Sequence, residues 1–234
     1  MRLLSVDSTA TACSVALTEN GKVLGEFYCN TKLTHSQTLM VMIQQMMNCT
    51  GFTLEQVDGF AVSAGPGSFT GVRIGVSAVK GMAMALDKPC VGVSTLEAMA
   101  QNLKYLNGVV CALMDARCGQ VYTALFRVGN GCIERLTEDS AIPAVEVAEK
   151  CAGLKETIYL AGDGAELCSE KEEFKVFSPV LLPEPLRFQR ASGVAKAAEE
   201  RFQRGEVLDA AKVMPVYLRP PQAERELKKR LHKA

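Results

Sequence analysis

The sequence predicts an α/β protein of two lobes, each a mixed sheet with helices, and three observations carry that prediction. Apolar segments of strand length alternate with segments of helical period. Three strands stand in a row before the first helix. A second round of strands and helices begins at Gly108. The expected division is residues 1–103 and 104–234, with a helix near 192–205 packing back on the first lobe and a basic tail at 225–234.

In the first lobe, Arg2 to Val6, Cys13 to Leu17 and Val23 to Tyr28 read as strands, and Asn20-Gly21 supplies a hairpin turn. His35 to Cys49 reads as a helix with Leu39, Ile43 and Met46 or Met47 on one face, capped by Thr34 or Ser36. Val57 to Ser63 reads as a buried strand and Val72 to Leu86 as a helix. Cys90 to Val93 is a short strand. Ser94 then caps a helix over Thr95 to Leu103, with Glu97 in its first turn, where the helix dipole favours an acid. In the second lobe, Val109 to Met114, Gln120 to Arg127, Cys132 to Leu136 and Thr157 to Ala161 read as strands. Ala144 to Ala152, Glu166 to Glu172 and Ser192 to Gly205 read as helices, with a proline-rich connector from Ser178 to Pro185. A Rossmann sheet alternates strand and helix from its first strand. The opening meander instead favours the two-lobed actin-like ATPase (ribonuclease H-like) fold.

The composition narrows the function. The chain has 234 residues, 48% apolar and 22% charged, enough for a substantial core. Lys plus Arg equals Asp plus Glu at 26 each, which argues against a protein that grips nucleic acid alone. Nine cysteines with no CxxC pair, beside two histidines, argue against a closed zinc site of the usual spacing. The odd cysteine number and the absence of a signal-like start fit a reducing, cytoplasmic setting. The apolar run Val76 to Leu86 is interrupted by Lys80 and reads as too short for a bilayer, so no membrane partner is expected.

The most distinctive stretch is Gly65-Pro66-Gly67-Ser68-Phe69-Thr70-Gly71-Val72-Arg73-Ile74-Gly75, between a buried strand and a helix start. Such a turn gathers backbone N–H groups at the helix N-terminus. Pro66 biases Gly65 towards an extended conformation, Gly67 and Gly71 permit close approaches, and Ser68 or Thr70 serves as the cap. It is neither a P-loop, lacking Gly-Lys-Ser/Thr, nor a G-x-S-x-G nucleophile elbow.

Together with Leu4-Ser5-Val6-Asp7-Ser8-Thr9, Ala112-Leu113-Met114-Asp115-Ala116-Arg117, Ala161-Gly162-Asp163-Gly164-Ala165 and Pro215-Val216-Tyr217-Leu218-Arg219, that stretch resembles the TsaB (YeaZ) family over nearly the whole chain. The resemblance implies a non-catalytic accessory subunit for making threonylcarbamoyladenosine in tRNA. It implies pairing through the amino-terminal lobe with a TsaD-like catalyst, which transfers threonylcarbamoyl from threonylcarbamoyl-adenylate to an adenosine beside the anticodon. It also implies a TsaE-like ATPase as a further partner, tRNA contact only through the complex, and a homodimer when the partner is absent. No tightly bound cofactor is expected, with ATP or ADP a candidate ligand at the complex interface.

Asp7, Ser8 and Thr9 end the first strand where actin-like ATPases contact phosphate, although a structural role is favoured for Asp7, and Asp115, Arg117, Gly162 and Gly164 complete the candidate nucleotide residues. The 115–120 hairpin has a single glycine, so passive nucleotide binding is favoured over hydrolysis; Arg117 either neutralises phosphate or pairs with Asp115. An ATPase or phosphotransferase is the alternative reading. A metallopeptidase is a more distant one, because His35 has Leu39 rather than a second histidine one turn on, and His232 lies in the tail. His35 reads as a helix-start hydrogen bonder. No metal site and no catalytic residue is assigned.

The partner-binding assignment falls on two helices. One carries Met40, Met42, Met46 and Met47, with Met42 and Met46 assigned to the partner; the other carries Gly71, Gly75, Ala78, Met82 and Ala85 as a stripe of small or adaptable residues, the first four assigned to the partner, with Val72, Val76, Val79 and Ala83 as a second apolar face. On that reading Gly75→Arg or Ala78→Glu abolishes partner binding in a chain that still folds. The run Arg225 to Arg230 reads as a solvated terminus rather than an RNA contact.

Overall fold

A computed structural model describes residues 1–31 and 33–220; the tail at 225–234 and His232 lie outside the described residues. The first sheet has the order β3-β2-β1-β4-β5. It comprises β1 (Arg2–Asp7), β2 (Cys13–Glu19), β3 (Lys22–Cys29), β4 (Gly59–Gly65) and β5 (Cys90–Ser94). β1 pairs antiparallel with β2 and parallel with β4, which pairs parallel with β5. The hairpin turn is at Asn20-Gly21, both with positive φ, as the local sequence requires. This meander followed by parallel strands is the actin-like arrangement.

Two helices complete this lobe's outer layer. α1 (His35–Thr50) buries Leu39, Met42, Ile43, Met46 and Met47. Thr34 and Gln37 close a capping box at its start, and Gly51 in the left-handed region ends it. α2 (Phe69–Leu86) buries Val72, Val76, Val79 and Ala83 in the same core as Val6, Phe60 and Val62. Each such aliphatic side chain contributes about 1.5–3 kcal/mol on burial. At 18 residues α2 is longer than the sequence reading made it, and by length and composition alone it qualifies as a membrane span. Its valines are nonetheless packed against β4 as a core helix.

The second sheet has the order β11-β10-β6-β7-β8, with β9 on β7. Its strands are β6 (Gly108–Asp115), β7 (Gln120–Gly129), β8 (Cys132–Arg135), β9 (Ser140–Pro143), β10 (Ile158–Ala161) and β11 (Val180–Leu181). β9 was not expected: its four residues are too few to show a period, and its pairing with Gln120 to Thr123 is a tertiary event. The helix expected over Glu166 to Glu172 is two, α5 (Ala165–Ser169) and α6 (Glu172–Lys175). The proline-rich connector contains β11 and the start of α7 (Glu184–Arg187). α4 (Ala144–Ala152) lies where its period placed it.

Two helices sit between the sheets. α3 (Thr95–Asn102) has the expected Ser94 cap, and its Leu96 and Met99 join the core with Val110 and Phe126 of the second lobe. α8 (Ala191–Gln203) packs Val194, Ala197 and Ala198 against Leu3, Ala61 and Val91 of the first sheet. The first N–H groups of α8 are satisfied by the first sheet: Ser192 donates to Glu26 Oε1 at 2.8 Å, and Ala191 donates to Ser14 Oγ at 3.1 Å. A carboxylate at a helix N-terminus is electrostatically favoured.

Candidate functional site: an interlobe cleft and an exposed helix face

The Asp7-Ser8-Thr9 loop leaves the carboxyl end of β1 and meets the start of α2. Three glycines make the contact possible. A Cβ at Gly67 would overlap the Thr9 carbonyl, one at Gly71 the Ser8 carbonyl, and one at Gly75 the Ser8 hydroxyl. In their absence the Ser8 hydroxyl donates to Gly71 O at 2.8 Å, and Ser68 N–H donates to Thr9 O at 2.6 Å. Ser68, not Thr70, is the cap, its Oγ accepting from Gly71 N–H at 3.4 Å. Gly65 has φ +122° and a cis bond to Pro66, instead of the extended conformation expected from its proline neighbour. A Cβ there would overlap the Val216 carbonyl, because Val216 N–H donates to Ala64 O beside β4.

This loop floors an open cleft of about 710 Å³ between the lobes. Of the residues singled out in the sequence, Thr9, Gly67, Ser68, Thr70, Asp115 and Arg117 line it. Asp7 lies behind it. Its carboxylate is fully buried and accepts from Ser63 Oγ at 2.5 Å, Thr9 N–H at 3.0 Å and Thr9 Oγ1 at 2.7 Å. Burial raises its pKa above the ordinary value, opposed by those hydrogen bonds and by His35. Asp7 therefore shapes the loop from inside. Ser8 is likewise buried and bonded to α2. Gly162 and Gly164 are also behind the cleft, where the turn after β10 presses on Leu113 and Met114 of β6.

Thr11, Phe69, Tyr122, Asp163, Tyr217 and Arg219 line the cleft without having been chosen from the sequence. Phe69, Asp163, Tyr217 and Arg219 stood in segments quoted for the family resemblance, which was the available signal. Phe69 and Tyr217 stack with centroids 4.7 Å apart, and the Arg73 guanidinium lies 3.9 Å from the Phe69 centroid. Arg219 Nη1 donates to the carbonyls of Ala116 and, at 3.1 Å, Arg117, holding the hairpin that follows β6. In that hairpin Arg117, Cys118 and Gly119 all have positive φ. Arg117 forms no ion pair with Asp115; its N–H donates to Asp115 Oδ1 at 2.7 Å.

Asp163 accepts from Asp115 N–H at 3.2 Å, and burial pushes its carboxyl up from 3.8 to about 6. A carboxyl whose pKa is higher folded than unfolded binds its proton more tightly in the native state, so its contribution falls as pH rises from about 4 to 6. Wild type should therefore lose stability relative to Asp163→Asn across that window, in urea denaturation at a series of pH values. Parallel curves for the two would contradict the assignment.

His35 is no ligand in this arrangement: its Nε2 bonds Ala10 O at 2.7 Å, tying the cleft loop to the start of α1. Among the described residues no group of three or more His, Cys, Asp or Glu side chains is placed to hold a metal ion.

The helix face needs correction. Met42, Met46, Gly71, Gly75 and Met82 are buried inside this chain, the methionines in the first core and the two glycines against Ser8; Ala78 alone of the six is half-exposed. Gly75→Arg would disrupt folding, not merely docking. Ala85, in the stripe read from the sequence, is exposed, and with Ser77 and Gly81 it forms the exposed small-residue stripe of α2, beside Met84 at 64% exposure. On α1, Met40 and Val41 are exposed at 50% and 56%. α2 is apolar or small almost all round, so its period could not say which face was internal.

The two mixed sheets, with a cleft between them, define a two-lobed protein of the actin-like fold. The family model described as tRNA N6-adenosine threonylcarbamoyltransferase, TsaD, matches residues 25–226. The chain is 34% identical over 97% of its length, and 98% of the relative, to the tRNA threonylcarbamoyladenosine biosynthesis protein TsaB of Escherichia coli. It is 29% identical to the Bacillus subtilis TsaB over 96% of both chains. The solved structure of YeaZ from Pseudomonas aeruginosa superposes with a TM-score of 0.80 at 30% identity, covering 93% of this chain and 99% of that one. The chain belongs to the TsaB family.

Proposed function

We propose that this chain is the accessory, non-catalytic subunit of a tRNA threonylcarbamoyladenosine-forming complex. It docks a TsaD-type subunit on the exposed face of α1 and α2 and supports transfer of threonylcarbamoyl from threonylcarbamoyl-adenylate to the adenosine beside the anticodon. The observation that carries this reading is the exposure of apolar and small residues, Ser77, Gly81 and Met84 on α2 and Met40 and Val41 on α1, on helices whose other faces already fill the core. Small residues let a partner helix approach closely, and methionine adapts to an irregular surface. A TsaD family model matching this chain supports a partner with a lobe of similar fold. The same face would serve a homodimer in isolation. A TsaE-like ATPase and tRNA join through the assembly, consistent with balanced charge.

The cleft supports a nucleotide, ATP or ADP, held passively. Tyr122 and Tyr217 offer aromatic walls, Arg117 a cation, and Ser68 and Thr70 hydroxyls. With the Asp7 carboxylate bonded inward, turnover by this chain is not part of the reading.

Reconstitution tests the proposal. TsaD-type and TsaE-type subunits, threonylcarbamoyl-adenylate, ATP and tRNA are combined with and without this chain, and modified adenosine is scored. Modification should depend on the chain, which alone should give none. Full modification without it would remove the accessory role and favour an independent ATPase.

A further inference from the structure

The first turn of α3 is tied to the second sheet by a closed ring of polar and charged groups. The Ser94 hydroxyl that caps α3 accepts from Glu97 N–H at 3.2 Å and donates to Asp139 Oδ2 at 2.5 Å. Asp139 Oδ1 accepts from Arg135 Nη1 at 2.6 Å, and Arg135 Nη2 returns to Glu97 Oε2 at 3.3 Å. Ser94 and Glu97 stand where β5 of the first sheet runs into α3. Arg135 ends β8, the edge strand of the second sheet, and Asp139 precedes β9. Arg201 of α8 fastens the ring further into the first lobe, donating to the same Glu97 oxygen at 2.8 Å and to Gly92 O at 2.7 Å. The four charged side chains balance in sign and are only 17–27% exposed, so solvent and salt screen them less than a surface pair. None of these residues lines the cleft.

The rest of α3 joins the lobes in a different way. Leu96 and Met99 pack into the core of the second lobe, while Ala98 packs with the first sheet. Apolar contact is non-directional, so it keeps the two sheets together without fixing the angle between them. The buried Thr95 Oγ1 and Gln101 Oε1 of the same helix have no hydrogen-bond partner in the protein. Among the described residues, the hydrogen bonds from α3 and its cap to β8 and the segment after it are those of the ring. We propose that this ring is an interlobe lock. With the ring closed, the sheets keep one angle and the chain moves as a single body. With Arg135 removed, the second sheet rocks against α3 by a small shear of the apolar contact, and both cores stay packed. The lock stands apart from the proposed docking face, because α1 and α2 contribute no residue to it.

The chain carries its own reporters for the test. Cys49, at the end of α1, and Cys132, at the start of β8, are exposed, one on each lobe. With Cys29 and Cys118 replaced by serine, spin labels on Cys49 and Cys132 give the interlobe distance distribution by double electron–electron resonance. The chains compared in that background are the otherwise unchanged one, Arg135→Met and the isosteric Asp139→Asn. Methionine keeps an unbranched stem over the Phe126 ring, where the Arg135 guanidinium lies 4.7 Å from the centroid, and it leaves Glu97 paired with Arg201. The unchanged chain should give a single distance. Loss of the charge-assisted bonds in Arg135→Met should raise the population of a second angle about tenfold, from undetected to a resolved second distance. Asp139→Asn, which keeps an acceptor for Ser94, should shift the distribution the same way but less. The buried thiols Cys13 and Cys111, one in each core, should resist maleimide in every chain. A single unchanged distance in Arg135→Met overturns the lock. So does a second distance already present with the ring intact, or a broadened distribution in which Cys13 or Cys111 becomes reactive, because then a core has opened. If Arg135→Met does not fold, Asp139→Asn decides on the same criteria.

Discussion

Gly81→Arg leaves this chain folded and weakens its affinity for a TsaD-type partner by about 30-fold or more. Gly81 is exposed near the middle of α2, and a Cβ built there meets nothing within 4 Å. Replacing a mid-helix glycine on a solvent face should stabilise the helix by about 0.5–1 kcal/mol, through the backbone entropy that glycine loses on folding. On the proposed docking face the same position lies between Ser77 and Ala85, whose small side chains would allow close approach. A guanidinium buried there without a partner costs about 2–5 kcal/mol. Thermal melting should show an unchanged or higher Tm while calorimetry shows the loss of binding. Ala78→Glu should act in the same direction but with some cost to stability, because Ala78 also packs on the core.

Gly71→Val has the opposite signature. A Cβ at Gly71 would overlap the Ser8 carbonyl oxygen, which is backbone and cannot rotate away. To make room, α2 must lift from β1 or the Ser8–Thr9 loop must move, breaking the Ser8–Gly71 and Ser68–Thr9 hydrogen bonds. Overpacking of this kind, with two buried polar pairs lost, is expected to cost about 3–5 kcal/mol, enough to unfold much of the population of a typical domain. Urea denaturation should show a large fall in midpoint. A wild-type midpoint would mean that the loop and α2 are not in contact as described.

The first lobe was largely legible because its signals are local. Asn20-Gly21 fixes a hairpin, Ser94 is a cap with Glu97 behind it, and Leu39, Ile43 and Met46 recur with helical period. The second lobe was less so. β9 and β11 are four and two residues long, and they exist through pairing with strands far away in sequence. The cleft was legible in part: glycines 67 and 71 do permit a close approach, but what they approach is the chain's own Ser8–Thr9 loop. A structural role for Asp7 was favoured over a phosphate contact, but Ser63, 56 residues away, which takes up its carboxylate, could not be read from the sequence. Most of the stripe assigned to the partner on α2 turns inward, because both sides of the helix carry small residues. Only the packing of β4 and the loop selects the face of Gly71 and Gly75 as internal and leaves Ser77, Gly81 and Ala85 outside.

The central claim is that this outer face of α2 holds the catalytic partner. Its most direct measurement is a side-by-side titration of a TsaD-type subunit onto wild type, Gly81→Arg, and Val176→Glu on the second lobe, where Val176 is 79% exposed. The account predicts wild-type affinity for Val176→Glu and a loss confined to Gly81→Arg, with both variants folded. Wild-type affinity in a folded Gly81→Arg chain would contradict it.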